Sequence, residues 1–160
     1  FHIRTGSGNE CLSIPRSANY IYPDHLSFMN RLATPGASNL DLDKREAMTA
    51  LDRLLIFGSD KDRHTSLSFS PSEVALSAQG QEVGSANEHI ECSFSGDIES
   101  IVFPTHDLID ILGHFQSEKV HFTLTGVDGP CGITGPEDSE YPVTLMPMKI
   151  AESSYYEEEE

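Results

Sequence analysis

The 160-residue sequence lacks the segments that direct a protein into or across a membrane. No stretch approaches the roughly 18 uninterrupted apolar residues that a membrane-spanning helix needs. The first ten residues, FHIRTGSGNE, have no basic-then-apolar signal pattern and no initiator Met. We therefore expect a soluble, cytoplasmic chain with the core of one ordinary domain, and we expect its true start to lie upstream.

Catalytic and metal-binding signatures are also missing. The three cysteines, Cys11, Cys92 and Cys131, form no CxxC pair, which favours free thiols in a reducing compartment. None of the seven histidines lies in HExxH or beside a cysteine at a metal-ligand spacing. GSG at 6–8 and GPCG at 129–132 match no phosphate-binding loop, and we expect hairpin turns there. We expect no catalytic residue, no metal and no cofactor.

Basic residues are scarce, since 10 Lys and Arg stand against 26 Asp and Glu. Residues 1–63 carry eight of each sign, whereas the rest of the chain has two basic and 18 acidic residues. Neutralising phosphate needs clustered Lys or Arg, so this composition excludes nucleic-acid binding by bulk electrostatics. Any DNA contact must be local, weak or supplied by other parts of the protein.

What the sequence does contain is alternation of apolar and polar residues, which is typical of strands with one buried face. The alternation predicts strands over 66–70, 73–78, 89–95, 99–103, 120–125 and 143–148.

Two segments have helical periodicity instead. The first begins after Asp43, an N-cap residue with Glu46 three positions later as in a capping box, and Gly58 ends it. Its apolar positions fall on one face: Ala47, Met48, Leu51, Leu54 and Leu55. The second helix is predicted over 105–115, with a buried stripe of Leu108, Ile111, Leu112 and Phe115.

The order of elements is strand, helix, three strands, and this order occurs twice, over about 38–97 and 98–150. It predicts a duplicated unit of the α+β class, with two sheets flanked by two helices.

Two patches carry a family resemblance. Tyr22-Pro23-Asp24 follows a strand-like segment, with His25 in place of a usual Tyr, and the segment 141–150 reads YPVTLMPMKI. The first resembles the crossing from the middle to the last domain of bacterial replicative sliding clamps, the beta subunit of DNA polymerase III. The second resembles the terminal strand of that family. By this resemblance, residues 1–27 are the last strands of the middle domain and a linker, and 28–150 are the third domain.

The resemblance implies a cleft that binds short, partly hydrophobic peptides from polymerases, the clamp loader and repair factors. Met and Pro side chains suit an adaptable apolar groove of this kind. The alternative for Met146 and Met148 is that both are core residues of a strand. The family's cleft positions fall here on Pro23, Ser27, Phe28, Pro104, Pro130, Thr144, Met146, Pro147, Met148, Lys149 and Ile150.

Two further surfaces follow from the resemblance. Ile56 and Phe57 match the ring interface between subunits, and the alternative for Ile56 is a lone exposed apolar residue. Lys44, Arg45 and Arg53 on the first helix match the basic residues that face DNA, with a solvated helix face as the alternative. The second helix instead has two aspartates, at 107 and 110, which would repel phosphate.

We therefore expect a non-catalytic part of a ring that encircles duplex DNA and tethers DNA polymerase, with a dimeric ring formed only by the full-length protein. The rival hypothesis is a free-standing clamp-like module that binds clamp partners without encircling DNA. An uncharacterised enzyme would need a converging polar site that the sequence does not display. Residues 151–160, AESSYYEEEE, are expected to be a disordered acidic tail whose two tyrosines compete for the cleft.

Overall fold

The computed structural model describes residues 1–14, 24–33, 35–57, 63–80 and 84–149, with the backbone alone at positions 25 and 28. The strands are β1 His2–Arg4, β2 Glu10–Leu12, β3 Ser38–Asp43, β4 His64–Ser70, β5 Glu73–Gly80, β6 Gly84–Ser95, β7 Ser100–Pro104, β8 Lys119–Leu124, β9 Cys131–Thr134 and β10 Val143–Leu145. The helices are α1 His25–Leu32, α2 Lys44–Leu54 and α3 Thr105–His114, and a 3₁₀ turn over Leu55–Phe57 extends α2.

From β3 onward the chain runs strand, helix, three strands, twice, so the predicted order is confirmed. The predicted cap of α2 is confirmed as well, because Oδ1 of Asp43 accepts a 3.0 Å hydrogen bond from the backbone N–H of Glu46. The predicted helix end at Gly58 and the tail over 151–160 lie outside the described residues. Helix α1 was not predicted, although Asp24 caps it by accepting from the backbone N–H of Ser27.

The eight strands from β3 to β10 pair antiparallel in the order β10-β9-β8-β3-β6-β5-β4-β7. The long strand β6 joins two four-stranded groups, because residues 84–91 pair with β5 and residues 92–95 pair with β3. The first strand of each repeated unit pairs with the second strand of the other unit, β3 with β8 and β7 with β4. Each unit thus places its first strand beside the second strand of the other unit, and we call this arrangement the pseudo-two-fold exchange of strands.

Several predicted boundaries are wrong: β6 begins at Gly84 and not at position 89, and two further differences lie near the C-terminal end. The final strand ends at Leu145 and not at Met148, because Pro147 has no N–H to donate to a ladder. In GPCG only Gly129 lies in a turn, whereas Cys131 and Gly132 belong to β9. The GSG turn is confirmed, since the N–H of Gly8 donates to the carbonyl of Thr5 between β1 and β2.

The core lies between the sheet and the helices α2 and α3. Apolar residues that alternate along the strands face it, and Phe103, Phe122 and Ile133 are almost completely buried there. The stripe of α3 is confirmed at Leu108 and Leu112. Helix α1 packs against β9, where Leu32 lies over Gly132. Because the neighbours of Gly132 in β9 point into the core, α1 covers the opposite, outer face of the sheet.

Candidate functional site

The outer face of the last strand and the segment after it exposes two methionines. Leu145 is buried opposite Cys131, so the residues on either side of it point away from the core. Met146 is 48% exposed and Met148 is 39% exposed. The alternative that both are core residues is therefore not how the chain folds. Two adjacent flexible thioether side chains on a surface can pack against an incoming apolar group with little polar surface to desolvate.

The segment 146–149 is held against the sheet by its backbone. The N–H of Met148 donates a 2.8 Å hydrogen bond to the carbonyl of Val102 in β7. Val102 and Pro104 are half-buried on the outer side of β7, since Ile101 and Phe103 between them face the core. The fold therefore brings Pro104 of the predicted cleft to the same edge as Met148, although the two residues are far apart in sequence.

Helix α1 lies on the same side of the sheet as these methionines. Thr144 is opposite Gly132 in the register of β9 and β10, so both positions face outward to the same side. A Cβ placed on Gly132 would lie only 2.7 Å from Cδ1 of Leu32. The helix thus rests directly on the β9 backbone. Two exposed residues, Leu26 and Met29, precede Leu32 at three-residue spacing along the helix.

The loop between β8 and β9 forms the other border of this surface. Pro130 is buried, and its carbonyl accepts a 2.8 Å hydrogen bond from the hydroxyl of Thr125. The ammonium of Lys149 lies 2.9 Å from Oδ2 of Asp128, and both side chains are largely exposed. An exposed pair of this kind contributes little free energy, but it neutralises the cation next to Met148.

We call the exposed residues Leu26, Met29, Met146 and Met148, together with half-buried Thr144, the methionine face. Of the predicted cleft positions, Thr144, Met146, Pro147, Met148 and Lys149 lie on one continuous segment, with Pro104 and Pro130 at its borders. Ser27 is exposed on α1, where its hydroxyl donates to the carbonyl of Asp24. The cleft positions Pro23 and Ile150 and the side chain of Phe28 lie outside the described residues.

The residues predicted for the ring interface occupy the 3₁₀ turn after α2. Ile56 is 70% exposed, whereas Phe57 is half-buried and packs against the core. The backbone of the turn lies close to β5, because a Cβ on Gly80 would collide with the carbonyl of Phe57. Ile56 thus points to solvent from a turn whose Phe57 packs against the core.

Two of the three residues predicted to face DNA bind groups within the chain. The ammonium of Lys44 donates a 2.6 Å hydrogen bond to the carbonyl of Phe115 at the end of α3. Arg53 donates two 2.7 Å hydrogen bonds to the carboxylate of Glu88 on β6. Arg45 is exposed, and its side chain has no partner within the described ranges. Helix α3 presents exposed Asp107 and Asp110 beside this surface.

The described ranges were also compared with the requirements of a metal site and of a reactive thiol. No group of three or more His, Cys, Asp and Glu side chains there could hold a metal ion. Burial raises the pKa of the Cys131 thiol, and burial with the Glu73 carboxylate nearby raises the pKa of Cys92, so neither favours the reactive thiolate. Among the same residues, no helix is long and apolar enough to cross a membrane.

The comparison with known families decides what this arrangement belongs to. Residues 34–149 match the family model "DNA polymerase III beta subunit, C-terminal domain". The chain belongs to this family. The match covers β3 to β10 and ends on the segment that carries Met146 and Met148.

Relatives named beta sliding clamp match most of the chain. That of Caulobacter vibrioides is 26% identical over 129 residues, 81% of this chain and 34% of the relative. That of Pseudomonas putida is 27% identical over 152 residues, 93% of this chain and 40% of the relative. The chain therefore spans about a third to two fifths of the length of these clamps.

Solved clamp structures share the fold of this C-terminal clamp domain. A sliding clamp of Pseudomonas aeruginosa with a ligand superposes with a TM-score of 0.74 at 22% identity, covering 83% of this chain and 36% of that one. A Caulobacter crescentus clamp with polyethylene glycol in a putative beta-motif tethering region has a TM-score of 0.73 at 25% identity, covering 82% and 34%. The predicted α+β clamp fold with its duplicated unit is confirmed.

The sequence did not lead us to predict helix α1 or its packing against Gly132. A usable signal was present, because Asp24 precedes Ser27 by three residues as an N-cap pair does. Leu26, Met29 and Leu32 then follow with a spacing of three, which fits one stripe of a short helix.

Proposed function

We propose that this clamp-family chain serves as the C-terminal part of a ring-shaped DNA sliding clamp. In this proposal the ring encircles duplex DNA and holds DNA polymerase and other replication and repair proteins through short peptides that bind the methionine face. The chain performs no bond-breaking chemistry itself, needs no cofactor and works in the cytoplasm. Dimerisation into a closed ring requires the full-length protein.

The exposed pair Met146 and Met148 is the observation that carries the proposal. Both belong to a segment that the fold ties to β7 and β9, yet Met146 stays 48% exposed and Met148 39% exposed. A folded chain gains by burying such side chains, so their exposure beside an ordered backbone suits a surface that a partner covers. The border charge of Lys149 is neutralised by Asp128, which leaves apolar contact as the main source of affinity.

The arrangement of the site supports an extended peptide as the ligand. The methionines lie at alternate positions along one segment, and an extended peptide places its own side chains at alternate positions on one side. Pro147 has no backbone N–H to donate to a peptide lying alongside it. The exposed side chains of Met146 and Met148 must therefore supply contacts that backbone hydrogen bonds to the peptide would otherwise give. Specificity then comes from the apolar side chains of the peptide and from the width of the groove.

The test is binding of a labelled peptide from the C-terminus of the organism's DNA polymerase to the full-length protein. Replacing both residues, Met146→Ala with Met148→Ala, removes two apolar anchors at the centre of the surface. It should weaken binding by on the order of 2 kcal/mol, or more than tenfold in Kd. Isothermal calorimetry gives the affinity, and thermal unfolding checks that the fold is intact.

Ile56→Ala is the matched control, because it also truncates an exposed apolar side chain but in the turn after α2. The control should bind the peptide like the parent protein. Equal affinity of the double methionine variant and the parent, with both folded, would remove the methionine face from the function.

A further inference from the structure

We propose that an open cavity beside the segment 146–149 binds the cationic side chain, lysine or arginine, of a partner peptide. The inference rests on the proposed peptide-binding function and adds to it a second contact of defined chemistry. The cavity has a volume of about 450 Å³. It lies where the loop before β3, the turn between β6 and β7 and the loop after β8 come together.

The wall of the cavity is divided between apolar and acidic groups. Leu124 is buried, Ile98 is half-buried and packs against the core, and Val127 is 57% exposed. Asp97 and Glu99 flank Ile98 and are exposed, and neither carboxylate has a hydrogen bond or ion pair with a group in the described parts of the chain. A lysine or arginine side chain has the matching division, because its methylene stem packs on apolar surface while its charged end stays at a polar edge.

Ser38 supplies a polar group deep in the cavity. It lines the cavity and is only 2% exposed, and its hydroxyl makes no hydrogen bond within the described ranges. Those ranges contain no side-chain oxygen that is both sealed from solvent and without a partner, so the Ser38 hydroxyl reaches the open space of the cavity. Gly96 makes room for it, because a Cβ on that glycine would collide with the hydroxyl. A buried hydroxyl without a hydrogen bond is costly, and an ammonium or guanidinium N–H supplies the missing bond.

Two contacts place the cavity next to the segment that carries the methionines. The N–H of Met148 donates to the carbonyl of Val102, and Ser100 on the cavity wall lies two residues before Val102 in β7. Two residues of a strand span about 7 Å. The ammonium of Lys149 lies 2.9 Å from the carboxylate of Asp128, which directly follows the part of the wall formed by the loop after β8. A peptide that contacts Met148 therefore needs to extend by only a few residues to place a side chain in the cavity.

Two basic residues lie near the cavity, and both are already engaged. Lys149 is paired with Asp128. Arg31 lines a smaller cavity that shares Gly36 and Thr125 with this one, and it has an interaction of its own. The two carboxylates and the hydroxyl of the wall thus offer acceptors to the N–H groups of an incoming ammonium or guanidinium.

The first experiment places lysine at each position in turn of the polymerase C-terminal peptide and measures binding to the full-length protein by calorimetry. Norleucine at the same position is the matched peptide, because it keeps the methylene stem and lacks the ammonium. At one position lysine should bind at least about threefold more tightly than norleucine, as expected for exposed ion pairs. This preference should disappear in Asp97→Asn with Glu99→Gln. The absence of a preference at every position, or a preference that survives in this variant, would overturn the inference.

The matched protein control is Asp52→Asn with Glu91→Gln, which removes the same charges from exposed positions outside the cavity wall. The control should keep the preference for lysine. If the control loses the preference as well, then the net charge of the protein, and not the cavity, attracts the lysine.

Ser38→Ala tests the buried hydroxyl. The variant should unfold at the temperature of the parent, because the hydroxyl makes no hydrogen bond in the described ranges. It should roughly halve the preference for lysine, since one acceptor of the cation is removed. A large loss of thermal stability would show that the hydroxyl serves the fold, and it would remove Ser38 from the site.

A second measurement separates this inference from the proposed function, because it needs no polymerase peptide. Nα-acetyl-lysine amide is titrated into the isotope-labelled full-length protein, and the backbone amide signals of residues 97–100 and 124–127 should shift. Its affinity should fall at least about threefold in Asp97→Asn with Glu99→Gln. If none of these signals shifts, the cavity inference is wrong even where the peptide binds at Met146 and Met148. If they shift but the polymerase peptide does not bind, the proposed function fails and the cavity stands as a site for a cationic side chain.

Discussion

The guanidinium of Arg53 on α2 donates two hydrogen bonds of 2.7 Å to the carboxylate of Glu88 on β6. The hydrogen bond to Glu88 raises the pKa of Arg53, and the hydrogen bond from Arg53 lowers the pKa of Glu88. Both groups stay ionised at neutral pH, so their charges cancel locally. A phosphate that approaches Arg53 must compete with an internal carboxylate in a bidentate geometry.

Replacing Glu88 with glutamine should release Arg53 for DNA. In the full-length protein, Glu88→Gln should raise the affinity for duplex DNA at low salt. Because each phosphate contact contributes about 0.9 to the slope of log K against log salt, the slope should steepen by up to that amount. Fluorescence anisotropy over a salt series measures it. Glu91→Gln on the same strand makes the same change in net charge but leaves the Arg53 pair intact. Identical salt slopes for the two variants would refute the masking of Arg53.

The carboxylate of Asp138 should make the fold sensitive to acid. It accepts hydrogen bonds from the hydroxyl and the N–H of Ser117 and from the N–H of Gln116, and these lower its pKa. A pKa lowered by folding stabilises the fold above the unfolded value of about 3.9, and the contribution is lost as pH falls through the lower folded value.

Asp138→Ala should therefore lower the melting temperature at pH 7 and reduce its fall as the pH drops below about 4, the unfolded pKa of an aspartate. Thermal unfolding by circular dichroism across that range is the measurement. Asp97→Ala, which removes an exposed carboxylate from a loop, should leave the pH dependence as in the parent. If the melting temperatures of the two variants fall in parallel as the pH decreases, then Asp138 does not cause the acid sensitivity of the fold.

The sequence could place basic residues on α2 but could not show what binds them. Glu88 is 35 positions from Arg53, and the carbonyl of Phe115 is 71 positions from Lys44. Such partners are determined by how the helix crosses the sheet, which periodicity does not specify. Met146 and Met148 were predictable as one face of a segment, because alternation has a period of two. Which side faces solvent was settled by the burial of Leu145.

At the scale of elements, long periodic segments were predictable and short ones were not. Helices α2 and α3 each bury a stripe against the sheet, so their apolar spacing is strong. Helix α1 has only eight residues, so few of its positions carry a periodic signal, although Leu32 packs against Gly132 of the sheet. Strand β10 ends before Pro147 because a proline has no backbone N–H to donate to a neighbouring strand. The predicted order required a strand between β8 and β10, but β9 could not be located in the sequence because its small and buried residues do not alternate.

The capping carboxylate of α2 gives a prediction at this scale. Asp43→Ala removes the acceptor of the Glu46 N–H and should destabilise the protein by about 1 kcal/mol. Urea unfolding followed by circular dichroism gives the free energy of unfolding. The control, Asp52→Ala, removes an exposed carboxylate near the other end of the same helix and should cost less, because alanine favours helix and that end repels negative charge. Equal destabilisation would argue that net charge, and not the cap, explains the loss.

At the scale of the whole molecule, the pseudo-two-fold exchange of strands explains why the terminal segment is ordered. In the first unit, β6 returns to pair with β3. In the second, the segment after β10 returns toward β7 and makes the corresponding hydrogen bond from Met148 to Val102. The duplicated topology thus ties the segment that carries Met146 and Met148 to the sheet without extending a strand. It also leaves the turn after α2 as a separate exposed site.

These two surfaces should therefore act independently in the full-length protein. Ile56 is 70% exposed in the turn after α2, and a head-to-tail ring needs such a patch to meet a different patch of the neighbouring subunit. Ile56→Asp places a charge in that contact and should shift the protein from a dimeric ring to monomers at micromolar concentration, because a buried unpaired carboxylate is costly. Sedimentation velocity measures the mass, and peptide affinity should stay unchanged. Met146→Ala should have the opposite effects: the dimeric ring should stay intact, and the affinity for the peptide should fall. If Ile56→Asp leaves the ring as stable as the parent's, then Ile56 is a lone exposed apolar residue and the subunit contact lies elsewhere.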